Sequence, residues 1–460
     1  MPPVILPTTP IARSRPHATR AALAGHRVGR LAVGLWLACA GASAVQAQSL
    51  QELYDAARGY DASYLSARAL ADSAQYRAEQ AEALLRPSAA AAASVTRTEV
   101  DLPRTTFRGG NSTSVGVTGR QPLFNSPNKA TVAQARKSLE SSRYDLEAAE
   151  QDLIVRVAQA YFDVLAAQDA LATTRSSKSF ITEQLASAKR NFEVGTATIT
   201  DTREAQARFD LATAQEVVAD NDLRTKRAAL DQLVGRSGVA PRTLAVPVAL
   251  PAVVPPSIDD WLARADTHPT VRRAQIGLEV AKLETDKARG ARLPTVDAVG
   301  QVNSGYNSLG LTSLPGTTNT ASIGLQLNMT LYSGGQIQNR VQETVLLQDK
   351  SRNDLDVARR AVTLGTRQAF LGVQSGLAQV KALEAAESSS KLALEATQLG
   401  YRVGVRVNLD VLNAQSQLVT TQRDLARARY DVLVGGLRLR QASGQLTPAD
   451  VAAVSQLLAK

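Results

Sequence analysis

The chain has 460 residues, 44% hydrophobic but only 4% aromatic, with three His, one Cys and a formal net charge of +10. So few His and Cys leave thiol catalysis, His-based catalysis and ordinary zinc sites without their parts. The scarcity of aromatics beside abundant Ala, Leu, Gln and Arg suits long helices packed in thin layers rather than thick cores.

Residues 1–47 read as an export signal. Arg13, Arg15, Arg20, Arg27 and Arg30 supply a basic lead, and the apolar run Leu31–Ala44 is too short to span a bilayer as a helix. Val45-Gln46-Ala47 places a small residue at the cleavage point. Lipid attachment at Cys39 is an alternative, although Trp36-Leu37-Ala38 fits it poorly. The five leader arginines carry half of the net charge, and the leader holds the only Cys together with His17 and His26, so His268, a structural residue near a helix turn, is the one His of the mature chain. The remaining bases alternate with acids, as at Arg423-Asp424. This describes solvated helix faces, not a nucleic-acid surface.

The mature chain then repeats itself, residues 48–236 lying over 257–444. In the first repeat a helical pattern runs from Leu50 to Arg86 and stops at Pro87. A hairpin of strands follows over about 88–124, with a Gly/Ser/Thr loop at Thr105–Ser112 and a second strand at Ser114–Phe124. Next come a turn at Asn125-Ser126-Pro127, a long helix over about Lys129–Asn191, a tip over 192–201 and a return helix to Gly235. The segment 237–256 is rich in Pro and reads as an extended crossover linker. The second repeat matches: a helical pattern from Ile258 to Leu293, Pro294, a hairpin over about 295–332 with a Gly/Ser/Thr loop at Ser308–Thr320, a long helix, a tip over 401–410 and a return helix to Gly444. Residues 445–460 form a short C-terminal helix.

The strand expected at Ser322–Tyr332 alternates Ile323, Leu325, Leu327, Met329 and Leu331 with Gly324, Gln326, Asn328 and Thr330. That period fits either a membrane-barrel strand or a soluble sheet with one face on a core. Two strands per repeat make four per chain, too few to close a barrel in lipid, so membrane strands require oligomerisation. In the last helix Val411, Leu418, Leu425, Val432 and Leu439 keep a seven-residue spacing, with Ala414, Thr421, Ala428, Gly435 and Ala442 three residues on. Large-then-small heptads predict a close-packed coiled coil. In the first repeat Phe209, Leu223 and Leu230 fit that pattern but Glu216 interrupts it.

The tips carry the most specific pattern. Phe192-Glu-Val-Gly-Thr-Ala-Thr-Ile-Thr-Asp201 returns as Tyr401-Arg-Val-Gly-Val-Arg-Val-Asn-Leu-Asp410. Gly195 and Gly404 sit where a helix C-cap needs positive φ, and Thr200-Asp201 and Asn408 offer N-cap oxygens for the returning helices. One tip brings Thr200 and Asp201, the other Tyr401 and Arg406. Placed side by side, Arg406 would pair with Asp201 and Tyr401 would donate to it. No phosphate-binding, metal-binding or catalytic constellation stands out, and neither cofactor nor enzymatic activity is expected.

The duplicated layout, the Ala160-Tyr161-Phe162-Asp163-Val164-Leu165 stretch and the two tip motifs together resemble the TolC family of outer-membrane efflux and secretion channels, over essentially the whole mature chain. The resemblance implies a mainly α fold with a small β part. Long antiparallel coiled-coil hairpins and four membrane strands per chain would close as a trimeric α/β barrel. It implies a homotrimer in outer-membrane lipid with a long periplasmic tunnel. It further implies a periplasmic adaptor and an inner-membrane ABC or proton-driven translocase that open the tips, and no nucleic acid. Residue by residue, it assigns Thr200, Asp201, Tyr401 and Arg406 to the bonds that hold the tips shut. It assigns Asp410 to an acidic constriction ring whose second position is Asn413 here. A pore-less trimeric coiled-coil structural or surface protein and a periplasmic adaptor are the competing readings.

Overall fold

A computed structural model describes residues 47–100, 108–245, 250–308 and 316–459. The expected leader, with Cys39, and parts of both strand-hairpin loops lie outside the described residues.

The first repeat opens with α1 (Leu50–Tyr60) and α2 (Ala62–Glu82). The single helix expected there is broken at Asp61. Its carboxylate caps α2 by accepting from Tyr64 N and takes two hydrogen bonds, both 3.0 Å, from the Arg156 guanidinium. Hydrogen bonding from Arg156 holds the Asp61 carboxyl below the usual carboxylate range. Two antiparallel strands come next, β1 (Ser88–Val100) and β2 (Arg108–Phe124). The long helix α3 (Ser126–Glu193) starts with Pro127 in its first turn and runs 68 residues, about 100 Å. Its partner α4 (Ile199–Val234) ends on Gly235, whose φ is 72°.

In the second repeat the expected helix 258–293 is again divided. A short α5 (Ile258–Leu262) and one 3-10 turn precede α6 (Pro269–Gly290), because Pro269 cannot continue the 3-10 turn and instead opens α6 at its first position. Strands β3 (Thr295–Asn307) and β4 (Gly316–Asn328), helices α7 (Gln336–Arg402, 67 residues) and α8 (Asn408–Ala442), and a short α9 (Pro448–Ser455) complete the chain. In each repeat the long helix packs against three shorter ones, α3 against α1, α2 and α4 and α7 against α5, α6 and α8.

The strand limits correct the sequence reading in three places. β2 and β4 start at Arg108 and Gly316, inside stretches expected to be loops, and β4 ends at Asn328 rather than Tyr332. Thr295 is the last partner of Asn328, and the residue before it is Pro294, which has no N–H to extend the ladder.

The four strands form one antiparallel sheet in the order β1-β2-β3-β4, the two repeats joining where β2 pairs β3. An ion pair crosses that joint. The Arg120 guanidinium donates to wholly buried Asp297 at 2.6 Å, beside the irregularity at Pro122–Phe124.

The helices are held mainly by one large core midway along α3. Tyr161 and Phe162 meet edge to face, and Phe162 stacks on Tyr430 of α8. The Tyr161 hydroxyl donates to the carbonyls of Gln48 and Arg242. That ties α3 to the residues just before α1 and to the linker, while Gln48 and Ala459 in turn pair with linker backbone. Tyr430 donates to Asp169 at 2.6 Å, and burial pushes both groups' pKa values up. All five heptad residues of α8 from Val411 to Leu439 are buried. Glycines on both helices let α7 and α8 approach: a Cβ on Gly376 of α7 would lie 2.9 Å from Val432, and one on Gly435 of α8 would lie 3.3 Å from Val373. Glu216, the break in the α4 stripe, is explained by α3. Lys178 and Arg175 both donate to its carboxylate and hold its pKa low.

Candidate functional site

Two regions differ from ordinary packed structure: the faces of the sheet and the two tips. Directly paired residues point to the same side of a sheet. The rows Ala91–Val117–Val302–Ala321 and Gln121–Ala298–Leu325 therefore share one face, with Ile323 and Leu327. Thr118–Gln301–Ser322 and Asn303–Thr320 lie on the other face, with Ser94 and Ser114. The apolar face has no core against it: Ile323, Leu325 and Leu327 are 90%, 74% and 65% exposed. A soluble sheet would bury this side, so the alternation belongs to strands with apolar side chains toward lipid and polar ones inward. Three of the strands have 13 residues, more than the 9–11 that cross a bilayer at a tilt. Both edges, β1 and β4, are unpaired in the single chain. Among the described residues no helix is long and apolar enough to span a membrane.

The tips are built alike. Gly195 and Gly404 both have φ of 79°. Each donates to the carbonyl three residues back, Phe192 or Tyr401, and the following residue donates to Asn191 or Gly400. This paired pattern uses the positive φ that glycine adopts without strain. The N-caps differ from the expected ones. Thr198 caps α4, its hydroxyl accepting from Asp201 N, while the Asp201 carboxylate accepts from Thr198 N at 2.9 Å and from its hydroxyl at 2.8 Å. Thr200 lies within the first turn. In the second tip Val407 occupies the cap without a side-chain bond, and Asn408 is the first helical residue, buried with its amide oxygen unpartnered.

Within one chain the expected Arg406–Asp201 pair is not brought together. Arg406 lies 3.6 Å from the Asp410 carboxylate, one turn along α8. Tyr401 accepts a 3.4 Å hydrogen bond from the Asn191 amide of the other tip and packs with Phe180 against Leu394, Val411 and Leu418. Asn413 accepts from the Arg208 guanidinium of α4 at 2.9 Å. Arg208 drew no attention in the sequence because its partner is 205 residues away and belongs to the other repeat. No group of His, Cys, Asp or Glu suited to a metal ion occurs among the described residues.

The family model for outer membrane efflux proteins matches residues 53–236 and 263–445. The chain belongs to the outer membrane efflux protein family. Both matched segments fall on the repeats, and the match puts the apolar sheet face in outer-membrane lipid. The chain is 32% identical to the outer membrane protein TolC of Vibrio cholerae, over 89% of this chain and 93% of that protein. It is 33% identical to the alkaline protease secretion protein AprF of Pseudomonas aeruginosa, over 73% and 70% of the two chains. The fold matches the crystal structure of the CmeC outer membrane channel of Campylobacter jejuni at a TM-score of 0.75. That match covers 90% of this chain and 91% of that one, at 18% identity. This outer membrane efflux protein is thus an outer-membrane exit duct for efflux or secretion, and the readings as a pore-less fibre or a periplasmic adaptor fall. The family is one of channels rather than of enzymes, and its members work as trimers with partner proteins.

Proposed function

We propose that this chain forms a homotrimeric duct, closed at its tips in the resting state and opened there by a periplasmic adaptor together with an inner-membrane ABC or proton-driven translocase. It would thus serve tripartite efflux or type I protein secretion. The observation that carries assembly from several copies is the open sheet, and three as their number follows the family's trimers. A four-stranded sheet in lipid leaves two edges unpaired, and three copies in sequence close it into twelve strands, within the range of membrane barrels.

At the tips, Thr200, Asp201, Tyr401 and Arg406 form the latch between neighbouring hairpins, and Asp410 with Asn413 lines the constriction. The repeated Gly195 and Gly404 turns support this, since they fix two like-shaped hairpins of which one presents Thr200 and Asp201 and the other Tyr401 and Arg406. A partner that binds the untwisted arrangement more tightly shifts the population toward it. The experiment is single-channel recording in planar bilayers. Tyr401→Phe with Arg406→Ser is expected to raise conductance several-fold over the resting wild-type channel, and unchanged conductance would remove these residues from the latch.

A further inference from the structure

The two hairpins of one chain, α3 with α4 and α7 with α8, lie side by side, and toward the tips a few polar bonds join them. Along this stretch α4 and α8 stand apart over an open groove of about 540 Å³ floored by Ala170, Ser177 and Ile181 of α3. Arg208 of α4 and Leu412 of α8 line the end of that groove nearest the tips. There the Arg208 guanidinium crosses the gap and donates to the Asn413 amide oxygen at 2.9 Å. Among the described residues this is the one hydrogen bond that runs directly from α4 to α8. The acids on the same stretch of α4 do not compete for it. Asp201 accepts from Thr198 and Asp210 from Gln206. Among the described residues the ion pairs of α4 are made by Glu216, Asp220, Arg224 and Lys226, farther from the tip, and none involves Glu204 or Arg208. A hydrogen bond from a charged donor is roughly twice as strong as a neutral one. The neighbouring link between the hairpins, Asn191 to Tyr401, is neutral and longer, at 3.4 Å.

We infer that Arg208 is a further positioning residue of the gate: held on Asn413, it clasps the two hairpins of each chain together, and this clasp breaks when the tips part. The inference rests on the proposal that the tips open, and extends it away from the turns themselves. Arg208 lies seven residues beyond Asp201, about 10 Å along α4. Because α4 packs on α3 and α8 packs on α7, moving one hairpin from the other separates Arg208 from Asn413 rather than carrying the two together. An added separation of about 1 Å takes the pair past hydrogen-bonding distance, so the bond resists the first part of the movement and contributes nothing once the hairpins are apart. It therefore favours the closed arrangement over the open one.

The test is single-channel recording of the purified full-length channel in planar bilayers. Arg208→Met keeps a long stem but loses the donor, and is expected to raise resting conductance several-fold. Arg208→Lys can still donate to Asn413 and is expected to stay near the wild type, a rescue that packing alone would not give. A second measurement decides the matter even if Arg208→Met does not assemble. The only Cys of the sequence lies in the expected leader, so Arg208→Cys with Asn413→Cys adds one defined pair of thiols. Bridging them with a reducible bifunctional thiol reagent is expected to hold conductance at the resting value even when Tyr401→Phe and Arg406→Ser are present, and reductant is expected to restore the several-fold rise. An Arg208→Met channel with wild-type conductance, or a bridged channel that still shows the full rise, overturns the inference, while the rise in Tyr401→Phe with Arg406→Ser leaves the latch proposal standing. If neither Arg208→Met nor the latch variant conducts more than the wild type, both fall.

Discussion

At the residue scale, the imidazole of His268 is the side chain whose charge bears most on stability near neutral pH. Its Nδ1 caps α6 by accepting from Thr270 N at 3.1 Å, which requires that nitrogen to be unprotonated. Burial pushes its pKa below the ordinary value of 6.5. Between the two values the unfolded chain holds a proton that the folded chain does not. Stability therefore rises with pH through this window and falls as pH drops through it. The melting temperature of the purified protein is expected to fall between about pH 8 and about pH 5.5. In His268→Asn, which keeps a capping oxygen, the fall should be shallower, and equal slopes would show that other groups govern it. His268 was legible only as a structural residue near a helix turn. Arg208 was not legible at all, because a side chain that bonds across the two repeats leaves no local pattern. The tip glycines could be read because positive φ is a backbone demand that few residues meet. The caps beside them were misplaced because Thr198, Thr200, Asp201 and Asn408 all carry suitable oxygens, and only the backbone course selects among them.

At the element scale, the strands and the coiled-coil stripes answer to different solvents. On β4, Leu325 faces lipid while Gln326 faces the other way. A charge on the lipid face near the bilayer midplane costs about 2–4 kcal/mol. Leu325→Arg is therefore expected to reduce the protein recovered from outer-membrane fractions well below that of Gln326→Arg at equal expression. Equal recovery would contradict the assignment of faces. The alternation that marks β4 was plain in the sequence, yet both of its ends were misjudged. Met329 and Leu331 keep the alternation beyond the last ladder partner. Gly316–Thr320 reads as loop because it is polar on both faces, even though its backbone pairs with β3. The break at Asp61 escaped notice for a related reason: Gly59 lies inside α1, no Pro follows, and the capping carboxylate is held by Arg156, far along the chain. The α8 heptads were legible in full because that stripe packs mainly against α7 of its own repeat, with Phe180 of α3 added at the tip end.

At the scale of the whole molecule, the single chain is an incomplete object: its sheet has two open edges and an apolar face without cover. Light scattering in detergent, with the detergent mass subtracted, is expected to give three times the chain mass. A monomer of the mature chain that stays in solution without detergent would refute this. The duplication made the layout readable from the sequence, since each repeat served as a check on the other.

The two longest helices carry a mechanical consequence. Beyond its first turn α3 contains no proline, and α7 contains none at all, whereas their shorter companions are jointed near Asp61 and Arg264. From Tyr161 in the central belt to Glu193 at the end of α3 is about 48 Å of unbroken rod. A swing of about five degrees at the belt displaces its far end by about 4 Å, more than the length of any hydrogen bond that fastens it. If the tips open as proposed, packing around Tyr161, Phe162 and Tyr430 would act as a fulcrum, and substitutions there would govern leverage on a gate that those aromatics never touch.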